Sequence, residues 1–130
     1  MISYLLTLKG EPITKKNSQQ MVMNPKTKRW FPVPSKQYKK YEKLCKEQIH
    51  PVGHSDFPIK YPVNVKCIYY MPTQRACDLT NLLEATDDIL KTCGVVVDDN
   101  YKIIASHDGS RVRVDKDNPR VEIEIREAID

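Results

Sequence analysis

Asp78-Leu79-Thr80-Asn81-Leu82-Leu83-Glu84-Ala85-Thr86-Asp87-Asp88-Ile89-Leu90-Lys91-Thr92-Cys93-Gly94 carries a helical period through an acidic segment. At about 100° per residue, Leu79, Leu82, Leu83, Leu90 and Cys93 fall on one side together with Thr86 and Ile89. Asn81, Glu84 and Asp88 follow one another at i, i+3 and i+7, so they share a different face. The pattern predicts a helix over 79–93, entered through Asp78 and ended by Gly94 as a left-handed cap.

Working outward, Tyr61–Met71 alternates Val63, Val65, Cys67 and Tyr69, the period of a strand with one buried face. Downstream, Val95-Val96-Val97 runs straight into Asp98-Asp99-Asn100. Extended structure is expected at 101–105, at 111–114 after the Asp108-Gly109 turn, and at 121–125. Upstream, Ser35 is placed to cap a helix reaching about Ile49, with Tyr38, Tyr41, Leu44, Cys45 and Gln48 as its less polar stripe. Before it, 20–23 and 29–33 flank Asn24-Pro25-Lys26-Thr27 and read as an exposed hairpin. Residues 2–8 open the chain as a strand. Five to seven strands with two main helices, and no repeat or linker, describe a single α+β domain over 1–130 with a mixed sheet.

Composition narrows the function. Residues 1–50 hold 11 Lys/Arg and 3 Asp/Glu, a balance of +8; residues 51–130 hold 10 and 14, a balance of −4; the two sum to the net +4. A basic half suits a phosphate backbone, whose condensed counterions are released when Lys and Arg replace them. No apolar run approaches the roughly twenty residues of a membrane span. The first residues lack a basic leader and a cleavage site, which points to the cytoplasm. Cys45, Cys67, Cys77 and Cys93 have no Cys-x-x-Cys spacing and read as small buried residues.

Between Asp78 and Asp99 stand six carboxylates, at 78, 84, 87, 88, 98 and 99, and a single base, Lys91. An Asp at a helix start has an ordinary capping role, and turn chemistry accounts for one of Asp98 and Asp99. Glu84 and Asp88 are less ordinary, because like charges at i, i+4 repel. Acids gathered at a strand edge opposite an acidic helix face are what a hard cation such as Mg²⁺ requires. A solvated acidic face is the other reading of the same pattern.

The run Arg75-Ala76-Cys77-Asp78-Leu79-Thr80-Asn81-Leu82-Leu83-Glu84, followed by Asp88-Ile89-Leu90 and Val97-Asp98-Asp99, resembles the RusA family of Holliday junction resolvases. That family shows a basic stretch, Asp-Leu-Asp-Asn-Leu, a lysine further along the helix, an Asp-x-Leu and an Asp-Asp pair after a short strand. Tyr69-Tyr70-Met71-Pro72 looks like the strand end leading into the motif, and Pro12 with Lys15-Lys16 and Pro34-Ser35-Lys36 fit its basic amino-terminal region. The resemblance implies a RusA-like homodimer, often phage- or prophage-borne, that cuts four-way DNA junctions symmetrically in recombination and repair. The reaction would use Mg²⁺, with Mn²⁺ as a substitute. Asp78 and Asp99 correspond to the first and last family aspartates and would be catalytic metal ligands, with Asp98 beside them. Two departures stand out: Thr80 replaces the second aspartate and Glu84 replaces the lysine. Glu84 is expected to serve as the substitute ligand; a non-catalytic, structure-selective DNA-binding protein on the same fold is the alternative.

The expected nucleic-acid contacts are Lys15, Lys16, Lys28, Arg29, Arg75, Asn81 and Arg111. Trp30 and Phe31 among the hairpin cations suit unstacked bases, although surface lysines commonly serve solubility alone. His107-Asp108-Gly109-Ser110-Arg111 reads as a turn with Gly109 at positive φ; its functional reading puts His107 or Arg111 on a phosphate, Arg111 being the better contact. Cys45, His50 and His54 lack the fourth partner of a zinc site.

Overall fold

Alternation and turn chemistry set the elements of the computed structural model, which describes residues 3–15, 19–50 and 56–128. Seven strands and two helices run in the order β1 (Ser3–Lys9), β2 (Gln19–Met23), β3 (Trp30–Pro34), α1 (Lys36–Gln48), β4 (Val63–Met71), α2 (Leu79–Thr92), β5 (Ile104–Ser106), β6 (Arg111–Val114) and β7 (Arg120–Glu127). Strand β4 lies inside the main sheet. It pairs antiparallel with β7 from Val63↔Glu127 to Tyr70↔Arg120, and β7 pairs in turn with β1. The other edge of β4 is shared by two short parallel partners, β5 near Val63 and β6 from Ile68 to Met71. The mixed sheet is therefore β1-β7-β4-β5, with β6 continuing the β5 edge.

Period two gives this sheet one dry face. Val63, Val65, Cys67 and Tyr69 of β4 are buried with Val121, Ile123 and Ile125 of β7, and both helices close over them. The Tyr69 hydroxyl lies 2.6 Å from Thr86 Oγ1, so the polar tip of a buried aromatic is satisfied by the α2 face laid against it. From α1, Tyr38, Tyr41 and Cys45 enter the core, whereas Leu44 turns outward with 41% of its surface exposed. Cys77 also departs from expectation, being exposed in the approach to α2. On the outer face of the sheet, the Arg120 guanidinium stacks 3.8 Å above the Tyr70 ring and bonds Asp115 and Glu122, each at 2.9 Å.

The ends of both helices follow the expected chemistry. Ser35 Oγ accepts the Tyr38 N–H at 3.1 Å, and Asp78 caps α2. Beyond Thr92, Gly94 has φ +77°, its N–H bonds Lys91 O at 3.1 Å and the Val95 N–H bonds Leu90 O at 2.9 Å. That pair of bonds is a Schellman cap. It turns the chain so that Val95 and Val96 are buried and Val96 bridges Ile59. The expected extended segment at 101–105 is a correction: 101–103 is a turn, and the strand begins at Ile104. Asn100 is the cause. Its side chain accepts the Lys102 N–H at 2.9 Å and its carbonyl accepts the N–H groups of Ile103 and Ile104, a local alternative to strand pairing.

Strands β2 and β3 form a separate two-stranded ribbon. Asn24 Oδ1 accepts the Lys26 N–H at its tip, and Trp30 is left 64% exposed.

Candidate functional site

The acidic face is assembled by α2 and the turn that follows it. At the head of the helix, one oxygen of Asp78 does two jobs. Oδ1 accepts the Thr80 N–H at 3.1 Å as an N-cap and the Thr80 hydroxyl at 2.6 Å. Thr80, read as replacing the second family aspartate, thus donates a hydrogen bond to the neighbouring carboxylate.

Further along α2 and in the turn after it, Asp88, Asp98 and Asp99 each meet a lysine. The Lys91 ammonium is 3.3 Å from Asp98 Oδ1 and 3.9 Å from Asp99 Oδ1. The Asp99 N–H adds a 2.7 Å bond to Asp98 Oδ1, and Asn100 bonds the other Asp98 oxygen at 3.1 Å. The Asp99 N–H and then the Lys91 ammonium hold the Asp98 carboxyl below its ordinary range, and Asp98 in turn raises Lys91. Asp88 pairs with Lys15 at 2.5 Å.

Asp87 is the buried member of the set, its side chain 14% exposed. It accepts from His107 Nε2 at 2.8 Å, while His107 Nδ1 lies 2.8 Å from the Val65 carbonyl. Burial raises the Asp87 carboxyl against the pull of His107, and the charges of Asp99 and Glu84 push it the same way. Glu84, Asp87 and Asp99 therefore share one electrostatic neighbourhood. Sequence reasoning did not find the Asp87–His107 and Asp88–Lys15 pairs, because partners 20 and 73 residues apart leave no periodic signal.

The other expected contacts are dispersed. Lys28 and Arg29 sit exposed at the ribbon tip, Lys28 with φ +56°. Lys15 is held against α2 and lies 5.8 Å from the Tyr38 ring centre. Arg75 is exposed three residues before Asp78, Asn81 is half-buried on α2, and Arg111 is exposed at the start of β6. Lys16 lies outside the described residues, as does His54. His107 does not face outward, since both ring nitrogens are engaged inside the fold.

The family model for the endodeoxyribonuclease RusA matches residues 8–126, nearly the whole chain. The protein belongs to the RusA family. Its membership carries endonuclease chemistry on branched DNA, and the single α+β domain with a mixed sheet and two helices agrees with it. No curated protein matches the chain. Among the described residues, no helix is long and apolar enough to cross a membrane.

Whether this RusA family member could hold a divalent cation is a question of donors. All the candidate ligands are hard carboxylate oxygens, the class Mg²⁺ takes. Lys91 already keeps a positive charge between Asp98 and Asp99, and Asp87 Oδ1 is buried without a hydrogen-bond partner among the described residues. The donor set suits the ion. Its geometry is not closed, because among the described residues no three acidic, His or Cys side chains converge as metal ligands.

Proposed function

We propose that this protein is a Mg²⁺-dependent endonuclease that resolves four-way branched DNA by paired symmetric cuts, acting as a homodimer in recombination and repair. The observation that carries the proposal is the RusA family match over residues 8–126, and the acids of α2 and of the turn after it, where Lys91 joins Asp98 and Asp99, support it. Asp78, Glu84, Asp98 and Asp99 are the residues that would hold Mg²⁺, or Mn²⁺ in its place. A cation held there would supply an activated water and offset the charge developing on phosphorus. The chain's own groups do the rest. Arg75 clamps a phosphate beside Asp78, Asn81 and Arg111 contact the strand, and Lys15, Lys16, Lys28 and Arg29 gather the backbone.

A second reading, a non-catalytic binder of branched DNA on the same fold, is favoured by one feature: the acids carry internal partners, Thr80 on Asp78 and Lys91 on Asp98 and Asp99. Cleavage of a labelled mobile four-way junction in Mg²⁺ or EDTA, by wild type and Asp78→Asn, separates the two. Paired nicks that need Mg²⁺ and vanish in Asp78→Asn are the expected result. Tight junction binding with no cleavage in Mg²⁺ or Mn²⁺ would leave the second reading standing.

A further inference from the structure

A cavity of about 320 Å³ opens at the approach to α2, its lining reaching Cys77, the residue before Asp78. Three segments build it: 11–14 after β1, Gln37 in the first turn of α1, and the loop 71–77 that leads into α2, with Leu82 behind. It shares Glu11, Ile13 and Gln37 with a second cavity of about 470 Å³ that follows α1 past Lys40 and Lys43. The two adjoin: a groove along α1 with Lys40, Lys43 and Glu47 on its walls leads to a mixed polar pocket at the entrance of α2.

We propose that this pocket receives one unstacked nucleobase from the branch point, a base with an exocyclic amine, while the phosphates of its strand follow Lys40 and Lys43. The proposal rests on the reading of the protein as a branched-DNA nuclease and adds to it a site of sequence readout. A paired, stacked base offers no face or Watson–Crick edge to a pocket; a base at a branch point can be taken out of the stack at low cost. Proteins that hold a single strand combine cations along its backbone with surfaces on which its bases stack. Ile13 and Pro72, both half-buried in the lining, supply apolar surface for the ring. The polar members fit the edge: the Glu11 carboxylate only accepts, so it favours an amino group and disfavours the O4 of thymine, while the Gln37 amide both donates and accepts. Arg75, also in the lining, suits the phosphate on the Asp78 side.

The test uses the full chain and four-way junctions that differ in the branch nucleotide, carrying cytosine, adenine, thymine or the fluorescent amino base 2-aminopurine. Wild type is expected to cut cytosine or adenine branches about tenfold faster than thymine branches, the discrimination of one good base-edge contact. In EDTA, 2-aminopurine emission at the branch should rise severalfold on binding, and a probe placed within an arm should not respond. Glu11→Ala and Gln37→Ala, both changes at exposed side chains, should bring the preference within about twofold, and Glu11→Gln should restore part of it because its carbonyl still accepts. An unaltered ranking in both alanine variants overturns the pocket assignment. So does silent 2-aminopurine on a bound junction, with the nuclease reading intact. Wild type that neither binds nor cuts any four-way junction overturns the nuclease reading itself and the pocket with it.

Discussion

His107 Nε2 lies 2.8 Å from Asp87 Oδ2 while Nδ1 of the same ring lies 2.8 Å from the Val65 carbonyl oxygen. A carbonyl can only accept, so Nδ1 carries a proton; an ionised Asp87 can only accept, so Nε2 carries one too. The ring is then an imidazolium wedged between α2 and β4. Burial opposes that charge, but the Asp87 bond and charge outweigh it and raise the His107 pKa above the ordinary value. The Asp87 carboxyl is raised as well, chiefly by burial. Both shifts have one meaning: the folded pair holds more protons than the same side chains in the unfolded chain.

The pH dependence follows with a definite sign. The contribution of His107 is full below its ordinary value of about 6.5 and is lost as pH rises through the raised value in the folded protein, while that of Asp87 is already lost at lower pH, in the carboxylate range. At pH 6, His107→Gln should cost about 1–3 kcal/mol, as expected for disturbing a buried hydrogen-bonded group. The gap between wild type and variant in thermal denaturation should narrow steadily toward pH 9. A gap that stays constant from pH 6 to pH 9 would mean that folding leaves the His107 pKa unshifted, and a gap that widens with pH would mean that the folded ring is neutral.

Thr80 offers a change in the direction of gain. Its hydroxyl ties up Asp78 Oδ1 at 2.6 Å, and Thr80→Asp replaces that donor with a second carboxylate at the head of α2. Two neighbouring acids bind a hard cation more tightly than one. The variant should reach half-maximal junction cleavage at lower Mg²⁺ than wild type and lose a few tenths of a kcal/mol of stability without the ion, from like-charge repulsion. An unchanged Mg²⁺ requirement would show that position 80 does not face the cation.

Glu84 tests the same face from the next turn of the helix. Glu84→Gln keeps shape and removes charge, so junction cleavage should be abolished while junction binding in EDTA stays within about twofold, a difference of roughly 0.4 kcal/mol. Retained cleavage would remove Glu84 from the site and turn attention to Asp87.

How much of this was legible in the chain depended on the range of the interaction. Elements governed by local chemistry were readable: the Ser35 and Asp78 caps, the Gly94 terminus, the ribbon around Asn24 and the alternation of β4 all depend on neighbours a few residues away. The period of α1 was readable to within one position, since Leu44 and Cys45 differ by 100° and packing chose the smaller, buried thiol. Asn100 showed the limit of alternation as a signal, because its side chain competes for the same backbone groups that a strand would use. The acidic face was visible as an accumulation of charge. Its internal cations were not: Lys15 reaches Asp88 across 73 residues and His107 reaches Asp87 across 20, and pairings of that kind are decided by the sheet.

The final prediction concerns the ribbon, which stands apart from the main sheet and keeps Lys28 and Arg29 exposed at its tip. If its cations sit on phosphates, each one neutralised releases condensed counterions and adds about 0.9 to the slope of log affinity against log salt. Wild type making six or more such contacts should lose about 10³-fold or more in junction affinity between 50 and 200 mM salt. Lys28→Ser with Arg29→Ser removes two charges from a segment with no share in the core, so folding should be untouched. The slope should fall by about 2, and affinities of wild type and variant should converge as salt rises. A variant weakened equally at every salt concentration would point to lost shape or stacking at Trp30 and Phe31. An unchanged slope would leave the ribbon away from the phosphates, with the basic face of α1 carrying the backbone.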